Sequence, residues 1–212
     1  MTTRDGSPQR TQVILDDLRR GLEFHASSFR EIDEKAKYWL TVSVPSLIGL
    51  SGYAFQKGFD LSPYLLSLII AVAICLFAAV YFFAATIGSS SISAGILIPE
   101  DQKVESCLYY SQSTEKWEQY ETLRVAKTLS ALLSNERQNM RKGSRLQVAE
   151  ALLFRGVPAA ACAAAICAAL VDACVAHGRG IGPTATIATG IAIGTGTAAA
   201  FWIATHRRTS KA

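Results

Sequence analysis

Long parts of this chain lack charge. Leu61–Ser89 contains no Asp, Glu, Lys or Arg, and the same holds for Tyr38–Gln56, Val157–Val171 and Gly180–His206. A helix needs about 20 apolar residues to cross a bilayer core, and uncharged runs of about 18 or more read as spans. The third window is the shortest. It is alanine-rich and bounded by Arg155 and Asp172, and widening it to Leu152–Val175 leaves both charges near its ends. These absences point to lipid as the solvent for four segments.

Catalytic signatures are missing as well. There is no GxSxG, no HExxH, no Walker loop and no pair of carboxylates with a supporting histidine; the chain has 3 His in all. The glycines around Gly190–Gly196 lie inside an uncharged window, not between a strand and a helix, so they make no phosphate loop. The spans hold almost none of the ionisable residues that an intramembrane enzyme uses. No catalytic residue is assigned, and neither a metal nor another cofactor is expected. The 5 cysteines lie at positions 75, 107, 162, 167 and 174, without metal-ligand spacing. All but Cys107 fall in or beside the apolar windows, where cysteine packs as a small apolar side chain. No secretory signal fits, because the first apolar run starts near residue 38 behind a long polar segment.

What is present is distribution. Hydrophobic residues make up 50% of the chain and charged residues 18%, proportions that decide nothing as averages. Ahead of the first uncharged window, Leu15, Leu18, Leu22, His25, Phe29 and Ile32 recur at alternating spacings of three and four, and Ala36 and Trp39 continue the series. This is a heptad seam, which needs a protein surface to pack on. No Gly or Pro separates it from the apolar run, so one helix passes from water toward lipid and can act as a lever as far as Pro45.

The predicted fold is an all-α membrane protein with four transmembrane helices. Residues 1–37 form a cytoplasmic heptad helix, and residues 38–88 a first transmembrane hairpin with spans at about 38–55 and 63–87. Residues 89–150 form a cytoplasmic helical region, and residues 151–206 a second hairpin with spans at about 152–175 and 184–205. Residues 207–212 are a cytoplasmic tail. A long middle helix is expected from Thr114, with Trp117, Tyr120, Leu123, Ala126, Leu129 and Leu133 as its apolar side; Gly143 either ends it or is tolerated. The two short hairpin loops hold only Lys57 and Arg179, so the positive-inside rule puts both termini and the middle segment in the cytoplasm.

Three sets of residues are candidates for function. Arg124, Lys127, Arg137, Arg141, Lys142 and Arg145 form a basic arc on the middle helix. They suit either a solvated face near anionic lipid or an anion site for a phosphate-bearing nucleotide. Tyr109, Tyr110, Trp117 and Tyr120 stand near enough in sequence to stack on a base or to pack in a core. In the fourth span, Thr186, Thr189, Gly190, Gly194, Gly196 and Thr197 share a broad face of small residues. That face suits close helix packing or the wall of a pore built by several copies. His25 is either a helix-contact residue or a protonation switch, and Asp172 either a turn residue or part of an acidic ring.

Two junctions carry a family likeness. The segment "EIDEKAKYWLTVSVPSLIGL", with Asp33, Lys35 and Ala36, resembles the approach to the first span of small bacterial membrane effectors. The segment "NERQNMRKGSRLQVAEALL", with Asn135, Arg141, Lys142, Gly143, Leu146 and Ala149, is similar to their approach to a later span. These are the multi-span effectors of nucleotide-signalling anti-phage defence, of the CBASS, Pycsar and Hailong kinds. The resemblance implies an inner-membrane, homo-oligomeric channel or pore-former. It would be gated by a partner nucleotidyltransferase or cyclase, or by that enzyme's nucleotide product. The alternative is a non-conducting membrane adaptor that recruits a soluble partner through its cytoplasmic helices.

Overall fold

The computed structural model describes residues 7–57, 61–88, 113–176 and 183–209, and every regular element among them is helical. Helix α1 spans Ser7–Lys57, α2 Pro63–Ile87, α3 Thr114–Ala151, α4 Val157–Ala176 and α5 Pro183–Thr209. A single π turn, Leu152–Gly156, joins α3 to α4.

Local chemistry explains where the helices begin and bend. The Ser62 hydroxyl accepts from the Leu65 N–H at 3.3 Å, and Pro63 fills the first turn, where its missing N–H costs nothing. Ser113 caps α3 in the same way, accepting from the Lys116 N–H at 3.3 Å. Pro158 has no N–H to offer the Phe154 carbonyl, and its ring crowds that carbonyl. The chain takes up the difference just before it as a π turn, in which the Val157 N–H bonds back to the Leu152 oxygen. Gly143 is accommodated within α3, which continues past it without a break. Pro45 likewise lies within α1.

The chain divides into two compact units. Unit 1 comprises Met1–Glu31 and Ser90–Arg141; unit 2 comprises Ile32–Ser89 and Lys142–Ala212. Helices α1 and α3 therefore each contribute to both.

In unit 1 the α1 seam faces inward. Leu15 and Phe29 are buried, and Leu18, Leu22 and His25 are half-buried. The face that α3 turns inward is not the one expected. Thr128, Ala131 and Asn135 are buried, whereas Trp117, Leu123, Leu129 and Leu133 are exposed. The reason is polar pairing and fit. The Asn139 amide bonds to His25, and a methyl placed on Gly21 would lie 2.5 Å from Leu132, so α1 and α3 approach closely on that side.

In unit 2, α2 is the hub against which α4 and α5 pack. One cluster joins Ala36 of α1, Ala79 and Phe83 of α2, Leu146 and Ala149 of α3, and Leu152 of the π turn. A second joins Ala71 and Cys75 of α2 to Ala160 and Ala164 of α4. Alanine at these points lets helix backbones come close, which suits a bundle with no hydrophobic gain between helices in lipid. Outward-facing side chains are large and apolar: Phe77 is 65% exposed, Tyr81 63%, Ile166 62% and Leu170 61%.

Among the described residues, three helical stretches are long and apolar enough to cross a membrane. They are Tyr64–Ile87, a window within Thr114–Leu170, and Ile187–Ala204. The expected first span, Tyr38–Phe55, is not among them, since Thr41, Ser43, Pro45, Ser46 and Ser51 dilute its apolar content.

Candidate functional site: a charged junction in unit 2

One face of α3 carries Lys142, Arg145, Leu146 and Ala149, at helical spacings of three, one and three. Its charged members meet the other helices of unit 2 rather than water. The Lys142 ammonium reaches the Asp33 carboxylate at 2.8 Å, with the lysine side chain 3% exposed and the aspartate 29%. The Arg145 guanidinium donates to the Ala85 carbonyl at 2.9 Å, in the last turn of α2. A cation suits a helix C-terminus, where carbonyls lack helical partners. One turn further along α3, Glu150 accepts from the Trp39 indole N–H at 3.3 Å, and Trp39 stacks edge-on against Phe154 with ring centroids 4.8 Å apart.

Apolar contact fills the space between these polar links. Ala36 lies one turn from Asp33 and is fully buried, as are Ala149 and Leu152. Ile32, also of the predicted seam, packs on the same cluster. The junction thus holds α1 to α3 through an ion pair and an indole–carboxylate bond, and α3 to α2 through a helix-end cap.

The six residues of the basic arc do not form one set. Lys142 is buried against Asp33, and Arg145 is spent on the Ala85 carbonyl. Within unit 1, Lys127, Arg137 and Arg141 are exposed, and Arg124 is half-buried with a buried Nε that has no hydrogen-bond partner. Tyr109 and Tyr110 lie outside the described residues. Trp117 and Tyr120 stack on each other with centroids 5.4 Å apart.

Gly190 and Gly194 of α5 pack directly on α2. A Cβ at Gly190 would sit 2.8 Å from the Ser67 carbonyl oxygen, and one at Gly194 would sit 3.1 Å from that of Ala71. The Cys75 thiol adds a contact to the Gly194 carbonyl at 3.7 Å. Gly196 is open, with nothing within 4 Å of its Cβ position. The hydroxyls of Thr189 and Thr197 bond to the Ala185 and Ile193 carbonyls of their own helix, at 2.8 and 2.7 Å. Thr186 lies on α5, and Asp172 on α4; their side chains lie outside the described residues.

In unit 1, Asn139 Nδ2 donates to the His25 carbonyl at 3.1 Å and lies 3.0 Å from His25 Nδ1. With Nδ1 accepting, the ring hydrogen sits on Nε2.

The arrangement defines a class: a chain whose described residues are all-helical, with stretches able to span a membrane, and whose α1, α2 and α3 are pinned together by charged and polar side chains in unit 2. Comparison with known protein families, curated proteins and solved structures finds no match.

Proposed function

We propose that this chain is a membrane effector of bacterial nucleotide-signalling defence: an oligomeric channel or pore-former that depolarises the inner membrane when triggered. In this reading Tyr38–Phe55 is a fourth span, and both termini and the middle segment are cytoplasmic. The support for that span is its outward face, where Val42, Ile48, Tyr53 and Phe55 are exposed and apolar. The observation that carries the reading is the Asp33–Lys142 pair. It joins the two segments that resemble the effectors' approaches to their spans, so a signal bearing on either segment bears on the other. A nucleotidyltransferase or cyclase, or its nucleotide product, would supply that signal, with Lys127, Arg137 and Arg141 as the exposed cations available to phosphates.

The test is expression in bacteria with a voltage-sensitive dye, with and without a partner nucleotide-synthesising enzyme. Depolarisation that depends on the partner supports the proposal. Its absence under every condition removes the channel.

A second reading has its own observation. Leu123, Leu129, Leu133 and Met140 of α3 are exposed together, an apolar face of the kind that marks protein contact sites. A non-conducting adaptor would use that face to recruit a soluble partner. Conductance measured in reconstituted bilayers separates the two.

A further inference from the structure

We propose that the Asp33–Lys142 pair is a releasable latch, holding α1 closed against α3 in unit 2; the inference rests on the signal-gated reading above. A buried ion pair is poor glue, because desolvating both charges offsets much of their attraction, and apolar residues of similar volume hold helices together as well or better. What a charged pair adds is reversibility. Once water reaches it, both charges regain hydration and the contact has little left to hold it.

Lys142 is 3% exposed and Asp33 29%, so water has access from the aspartate side only. Ala36, one turn along α1 from Asp33, and Ala149, two turns along α3 from Lys142, are fully buried in one cluster. Alanines interdigitate little, and the larger α1 side chains on this cluster, Ile32, Trp39 and Leu40, are partly buried, so the polar links carry a share of the α1–α3 contact here. Two of them are the Asp33–Lys142 pair and the Trp39–Glu150 bond, and the latter is longer, at 3.3 Å against 2.8 Å. Arg145 meanwhile ties α3 to α2. Release of Asp33 would therefore loosen α1 here while Arg145 still holds α3 to α2.

The experiment uses the full chain in membranes with Ala36→Cys, labelled by a water-soluble maleimide and read by mass spectrometry of the peptide containing residue 36. The parent labels slowly because position 36 is buried. Adding Asp33→Asn or Lys142→Met should raise the rate about tenfold or more, since accessibility follows the opening equilibrium and each change removes a charged hydrogen bond. Lys142→Met carries the test if Asp33→Asn fails to fold. The double change Asp33→Leu with Lys142→Met should label as slowly as the parent and should no longer respond to the trigger. Unchanged labelling in both single variants overturns the latch. So does fast labelling in the apolar double variant, which would mean general loosening of the packing. If labelling behaves as expected while no variant alters membrane potential, the latch stands and the channel reading falls.

Discussion

Asp33 and Lys142 stand 109 positions apart in the chain and meet at 2.8 Å. Their burial is unequal, and that inequality sets the outcome of mutating each. Asp33→Asn leaves an ammonium out of water without this counter-charge and should cost about 3–5 kcal/mol. Lys142→Met removes the buried charge and leaves a carboxylate that can hydrate, so it should cost less, about 1.5–2 kcal/mol. Thermal unfolding of the detergent-purified protein gives the comparison. Equal losses would mean that the two charges are equally desolvated.

Much of the helical layout was legible in the sequence, because charge-free windows and helix-start chemistry are local signals. The predicted second span, 63–87, coincides with α2, and the predicted fourth, 184–205, falls within α5. The join at Pro158 was not legible as a π turn, since a proline says that the ladder breaks but not how the chain absorbs it. The inward face of α3 was also missed. Leu123, Leu129 and Leu133 read as the natural core side, yet the fit of Leu132 against Gly21 and the Asn139–His25 bonds turn the polar face inward. The junction was half visible. Asp33 stands in a span-entry motif and Lys142 in a basic arc. Only tertiary contact shows that each answers the other, and spacing along one helix carries no information about that.

The α2–α5 contact should respond to single methyl groups. Gly190→Ala meets the backbone of Ser67, which cannot turn aside as a side chain can, so the helices must separate at a cost of about 1–3 kcal/mol. Gly194→Ala should behave alike. Gly196→Ala is the control. It meets nothing and replaces a helical glycine, so it should be neutral or gain about 0.5–1 kcal/mol. Melting temperatures of the three variants check the order.

In unit 1 the inward polar face of α3 yields opposite effects from adjacent residues. Asn139→Ala removes donors to the His25 ring and carbonyl and should destabilise this unit by about 1–2 kcal/mol. Gln138 has a buried Oε1 without a partner, so Gln138→Met should be neutral or stabilising by about 1 kcal/mol. Hydrogen exchange over residues 22–29 of α1 reads the difference locally. Faster exchange in both variants would show that Gln138 is satisfied after all.

Lipid contact itself can be tested by placing charge on outward faces. Phe77 on α2 and Ile166 on α4 are 65% and 62% exposed, in stretches apolar enough to cross a membrane. If those faces meet acyl chains, Phe77→Arg or Ile166→Arg should each oppose insertion by about 2.5–3.5 kcal/mol, with less when the guanidinium can reach the interface. Leu129 on α3 is 44% exposed but lies outside the proposed spans, so on that reading Leu129→Arg should leave insertion untouched. The measurement is the fraction of chain that stays with the membrane after alkaline extraction. Equal retention of all three variants would mean that the apolar faces of α2 and α4 are covered by protein and not by lipid, and the count of spans would then have to be rebuilt around a larger assembly.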